Sequence, residues 1–136
     1  MRSILIMAVA FSLSMAETTI VKDPSTNLMW EDTEHVENGQ VTYLEANSYC
    51  DALKLGEHAD WRVPTLKELL SIVDYKRYEP AILKEFSRIE QDKLYWSNTP
   101  YANKSTEFWG VDFEDGDTDS ASAIYDRRVR CVRAVK

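Results

Sequence analysis

Asp60-Trp61-Arg62-Val63-Pro64-Thr65-Leu66-Lys67-Glu68-Leu69 is the stretch whose reading decides the fold. Pro64 holds Val63 extended and keeps a helix from starting early. Thr65 and Glu68 have the spacing of a capping box, in which each side chain satisfies a free backbone N–H of the other. Leu66, Leu69, Leu70 and Val73 then make one apolar stripe, so the segment predicts an inward-facing helix from Thr65 to about Tyr75. Trp61 and Arg62 admit two uses. As a ligand platform they would stack and hydrogen-bond. As a fold element, Trp61 is core and Arg62 pairs with an internal carboxylate or carbonyl. A pair placed just before a packed helix favours the second.

A second capping box, Thr42 with Glu45, opens a helix over residues 42–55, with Ala46, Tyr49, Cys50 and Leu53 on one face and Gly56 ending it. Between the helices and the C-terminus the texture changes. Residues 94–98, 108–113, 121–125 and 129–135 read as strands, and residues 114–120 as a polar turn around Asp115-Gly116. Residues 19–31 form a small β unit folded at Asp23-Pro24 and Asn27. Residues 35–40 read as loop, and 81–86 as one or two helical turns. In the last strand Val129, Cys131, Arg133 and Val135 share one face, the expected inward one, and Arg130, Val132 and Ala134 share the other. Helices early and strands late predict an α+β domain.

The first 16 residues have the pattern of a secretory signal: Arg2, an apolar run over residues 4–11, and Ser14-Met15-Ala16 before the cleavage point. Residues 17–136 then form a single domain. Removing Arg2 leaves 15 Lys+Arg against 23 Asp+Glu, a net charge of −8. Such a chain is repelled by phosphate backbones, which excludes nucleic acid as the expected partner. No segment of the mature chain is apolar enough to span a bilayer. The two cysteines, Cys50 and Cys131, read most economically as one disulfide in an oxidising compartment. The alternatives are free thiols or a metal pair, for which no CxxC or Cys/His spacing speaks.

Five segments resemble the Lcl C-terminal domain family, an exported bacterial family. They are Leu28-Met29-Trp30, the Asp60–Leu69 stretch, Tyr95-Trp96-Ser97, Trp109-Gly110-Val111-Asp112-Phe113 and Val129-Arg130-Cys131-Val132-Arg133. The structural signature comprises Trp61, Arg62, Pro64, Thr65, Glu68, Trp96 and Trp109. Asn27 stands where the family often has glycine, and Asn tolerates the same left-handed backbone. The resemblance implies a C-type-lectin-like fold, related to formylglycine-generating enzymes, with two helices on a twisted, mostly antiparallel sheet. It also implies a surface-binding or adhesion role.

The most suggestive cluster is Asp112, Glu114, Asp115, Asp117 and Asp119, the candidate ligand-binding residues. Carboxylates at alternate positions around Gly116 suit Ca²⁺, above all at Asp115, Asp117 and Asp119. The loop lacks the closing Glu of an EF-hand, however, and an Asp-Gly turn is also an ordinary hairpin. No other cofactor is expected. His35 and His58 sit in expected loops, no serine has a nucleophile-elbow context, and no catalytic residues emerge. Arg127, Arg128, Arg130 and Arg133 form the one dense basic patch, expected to pair with the acidic loop. The resulting expectation is a non-enzymatic binding or adhesion module, exported to the periplasm or cell surface, recognising a glycan or an envelope protein. The alternatives are an enzyme or accessory of the formylglycine-generating type, which needs free thiols, and a structural envelope protein that forms a homo-oligomer.

Overall fold

The computed structural model describes residues 18–91 and 93–136; the expected signal segment lies outside them. The domain is α+β, with two three-stranded antiparallel sheets, short helices and one disulfide. β1 (Ile20–Asp23) and β2 (Leu28–Glu31) form a hairpin, and β6 (Val132–Ala134) pairs with the other edge of β2. The turn between β1 and β2 puts Asn27 at φ 58°, the left-handed conformation that Asn accepts. β3 (Leu94–Tyr101), β4 (Lys104–Asp112) and β5 (Asp117–Ser122) form the second sheet, in that order.

Each sheet contributes side chains to both of two core clusters. On β2, Leu28 and Trp30 enter one core cluster and Met29 the other. Likewise Tyr95 and Val132 belong to the first, Trp96 and Cys131 to the second. The strand expected to have one inward face therefore buries both Val129 and Cys131 and, on the other side, Arg130 and Val132.

Both capping boxes form. Thr42 caps α2 (Tyr43–Ala52) and Thr65 caps α3 (Leu66–Ser71). Each helix is shorter than its periodicity predicts, because tertiary pairing takes the chain away. After α2, Leu55 and His58 form a two-bond bridge, so Gly56 (φ 60°) and Glu57 (φ 66°) make a tight left-handed turn instead of a helix cap. After α3, Val73 pairs with Ile82, with Leu83 N–H donating to Ile72 O and Asp74 N–H to Ala81 O. That pairing also replaces the helical turns expected over residues 81–86. Residues 35–40 are not all loop: α1 (Glu34–Asn38) is a short helix holding buried Val36. The strands shift too. β5 begins at Asp117, inside the segment expected as turn, and the sheet is split in two where one was expected.

The opening stretch is the joint between the sheets. Arg62 exchanges two backbone hydrogen bonds of 2.9 Å with Val132, on the edge of the first sheet. Pro64 O accepts Asn98 N–H (2.8 Å) from the second, and Thr99 Oγ1 accepts the free Leu66 N–H (3.0 Å) of α3. Trp61 is 3% exposed and donates to His58 O, so it is core and offers no platform. Arg62 forks onto Glu68 with two bonds of 2.7 Å, while Glu68 still accepts Thr65 N–H. The Arg62 hydrogen bonds hold the Glu68 carboxyl below its ordinary range. Asp60 pairs with Arg133 at 2.6 Å. Trp96 is fully buried and donates to Val41 O (2.9 Å), whereas half-buried Trp109 packs edge-on against Tyr101.

Cys50 on α2 is joined to Cys131 across 81 positions, tying the helix to the segment leading into β6. Beside it, buried Glu31 accepts Cys131 N–H and the Tyr49 hydroxyl. Burial, reinforced by Glu31, pushes the Tyr49 hydroxyl well above its ordinary value.

Candidate functional site

The acidic segment is built on a hairpin. β4 and β5 pair with Asp112 opposite Asp117 and Gly110 opposite Asp119. Residues directly opposite in an antiparallel pair share a face, as do positions i and i+2. Asp112, Asp117 and Asp119 therefore lie on one face of the sheet, together with Leu94, Phe108 and Ala121. The face is apolar at one end and acidic at the other. Gly110 sits between them with no side chain, and a Cβ there would stand 2.5 Å from Tyr95 O.

The turn itself is tied by its own carboxylates. Asp112 Oδ1 accepts Glu114 N–H (2.8 Å) and Asp115 Oδ1 accepts Asp117 N–H (3.0 Å). On β5, Asp119 Oδ1 accepts Ser120 N–H (2.8 Å). Among the described residues no three Asp, Glu, His or Cys side chains converge as a set that could hold a metal ion.

A groove of about 480 Å³ opens over this acidic end. Asp112, Asp115, Asp117 and Asp119 line it, so four of the five candidate residues are brought together. Glu114 is not in the lining; its carbonyl instead accepts Glu79 N–H on the far flank of the turn. The opposite wall comes from residues that were not expected together: Gln40, Asp126, Arg127 and Arg128. Two backbone contacts bring them there. Val41 and Arg127 exchange hydrogen bonds of 2.8 Å, and Arg128 forms a parallel bridge with Tyr95, donating to Leu94 O and accepting from Trp96 N–H.

The basic patch divides along its length: Arg127 and Arg128 line the groove, but among the described residues none of the four arginines forms the expected ion pair with the acidic loop. Arg130 is fully buried, paired with Asp32 (2.9 Å) and lying 4.7 Å over the Phe86 ring. Arg133 belongs to Asp60. Arg127 lies over the Tyr125 ring and donates to Asp126 O. Arg128 is 6% exposed and donates through Nη1 to Gly39 O (2.9 Å). Its signal in the sequence was the Arg127-Arg128 pair; its burial had none.

His35 is half-buried and stands in α1, where a loop was expected. Its ring stacks on Tyr49 (3.7 Å between centroids) and stands against the Gly39 backbone. Burial lowers its pKa, and the Arg128 charge lowers it further against the pull of Glu31.

Among the described residues no helix is long and apolar enough to cross a membrane. No curated protein matches the chain. The family model for the Lcl C-terminal domain matches residues 19–133, which contain β1 to β5, the start of β6, the disulfide and the whole groove, and the chain belongs to that family.

Proposed function

We propose that the protein is an exported, non-enzymatic binding module with a C-type-lectin-like fold, which presents the groove over β4 and β5 to a glycan or protein of the cell envelope. The observation that carries this reading is the convergence of polar side chains from separate chain segments on one cavity of about 480 Å³. That volume falls within the range of small-ligand sites. The cavity's back is rigid sheet, and the disulfide fits an oxidising compartment. Both cysteines of the chain are joined to each other, so the thiol chemistry of a formylglycine-generating relative has no free thiol to start from. The test is a glycan array and an envelope-protein pull-down, each run with the native protein and with Asp117→Asn/Asp119→Asn. A ligand captured by the native protein and lost from the variant supports the reading; two empty screens sink it.

The structural reading keeps one observation of its own. Leu44 and Ile124 are 75% and 77% exposed, and Tyr43 N–H donates to Ala123 O, which sets them on adjoining segments. A pair of exposed apolar side chains suits contact with a partner. A stable oligomer by sedimentation would support that role, and a monomer would count against it.

A further inference from the structure

Arg128 is more than nine-tenths buried yet pairs with no carboxylate among the described residues. Its Nη1 takes a backbone carbonyl, and its Nε has no hydrogen-bond partner. Buried charges are normally paired, because an uncompensated one is costly. The neighbouring buried guanidinium, Arg130, follows that rule through Asp32. Arg128 does not, and it lines, with Lys93, Arg127 and Asp126, a groove that the carboxylates of the β4–β5 hairpin also line. Its backbone is fixed by the Leu94 and Trp96 hydrogen bonds, so the charge is held in place in advance. A bare cation entering the groove meets Arg128, and a bare anion meets Asp117 and Asp119. A group carrying both charges satisfies both walls.

We propose that the groove takes a zwitterionic group, its carboxylate on Arg128 and its ammonium against Asp117 and Asp119. This rests on the reading of the groove as the binding site and names the chemistry that enters it. The planar guanidinium fork suits a carboxylate, and the paired aspartates suit an ammonium donor. An amino acid and the two ends of a short peptide both supply this chemistry. The groove has room for either.

The test is a calorimetric and ¹⁵N-NMR titration of the exported protein, disulfide intact, with glycine, diglycine, acetate and methylammonium. The proposal requires glycine or diglycine to bind at least roughly tenfold more tightly than either singly charged probe, a step each charge-assisted contact can supply. Glycine ahead of diglycine identifies a free amino acid as the source, and the reverse order a peptide. Arg128→Gln should remove that advantage. Asp117→Asn/Asp119→Asn should remove it too, and because both side chains are exposed this variant keeps the fold. A second readout comes from His35. A carboxylate on Arg128 offsets the charge that depresses the His35 titration, so glycine and acetate should move it upward and methylammonium should not. Acetate or methylammonium binding as tightly as the zwitterions, or no binding by either zwitterion, overturns the proposal. An array or pull-down ligand with no ionic group, captured while the zwitterions fail, would leave the binding module standing and this inference fallen.

Discussion

Asp32→Asn is the sharpest test of how this core is held. Asp32 and Arg130 have side chains 1% and 0% exposed, and their 2.9 Å pair is one of four hydrogen bonds that the carboxylate accepts. Oδ1 also takes Arg88 N–H, and Oδ2 takes the N–H and hydroxyl of Ser87, all at 3.0 Å. Asparagine keeps one acceptor oxygen and turns an NH₂ towards two donors. The Arg130 guanidinium, held over Phe86 and by Glu31 O, is left buried without a counter-charge. Removing one partner of such a pair costs about 3–5 kcal/mol. In a domain of about 120 residues, roughly 4 °C of Tm goes with each kcal/mol, so the melt should fall by about 12–20 °C. Guanidinium unfolding followed by tryptophan fluorescence reads this directly, since Trp30 packs edge-on against Phe86 (6.4 Å). Arg130→Met should cost less, because Asp32 keeps three other donors. The double variant should recover at least about 1.5 kcal/mol of the sum of the single losses. A loss below about 1 kcal/mol for Asp32→Asn, or additive single variants, would refute the claim that this pair organises the core.

Opening the Cys50–Cys131 loop, by Cys50→Ala/Cys131→Ala, should cost about 4.5 kcal/mol by chain entropy for a separation of 81, read as a shift in denaturation midpoint. Glu68→Ala removes both a capping partner and the Arg62 fork and should cost about 1–2 kcal/mol, mostly through the cap because Arg62 is 42% exposed, as measured by thermal unfolding. For His35, the folded pKa lies below its ordinary 6.5, so the folded chain binds fewer protons than the unfolded one as pH falls. Stability should therefore be complete above about pH 6.5 and decline as pH drops from there towards the folded pKa, and His35→Phe, which keeps the ring stack on Tyr49, should flatten that decline in pH-dependent unfolding. Calorimetric Ca²⁺ titration should give only weak, nonspecific heat, the same for Asp115→Asn/Asp117→Asn as for the native protein, because the Oδ1 atoms of Asp112, Asp115 and Asp119 already serve backbone N–H groups; tight, stoichiometric binding lost in the variant would contradict this.

The parts of this fold that were legible in the sequence are those decided within a few residues. Thr42 with Glu45 and Thr65 with Glu68 fix two helix starts, and nothing distant needed to be known. The helix ends were not legible. α3 stops at Ser71 because Val73 pairs with Ile82, a contact between residues that no local pattern connects. Charge misled for a related reason. Glu31, Asp32 and Arg130 are charged types that usually stay at the surface, yet all three are buried, and what allows it is a set of partners drawn from remote segments. The acidic face was visible as a composition, but its register was not: only the pairing of Asp112 with Asp117 puts those carboxylates and Asp119 on one side.

The position of Arg128 shows how the site depends on the fold. It directly precedes Val129-Arg130-Cys131-Val132-Arg133, whose buried residues hold the two sheets and the disulfide together. Arg130 and Arg133 have carboxylate partners supplied by the chain itself, Asp32 and Asp60. Arg128 is held by equally firm backbone contacts to β3 but is given only a carbonyl. Three arginines in six residues are thus anchored by one framework, and the one without a carboxylate partner among the described residues is the one that reaches the groove. A charge placed rigidly and left uncompensated gains most from a ligand that brings the missing carboxylate, which is why Arg128, and not the more conspicuous acidic turn, should decide what the groove accepts.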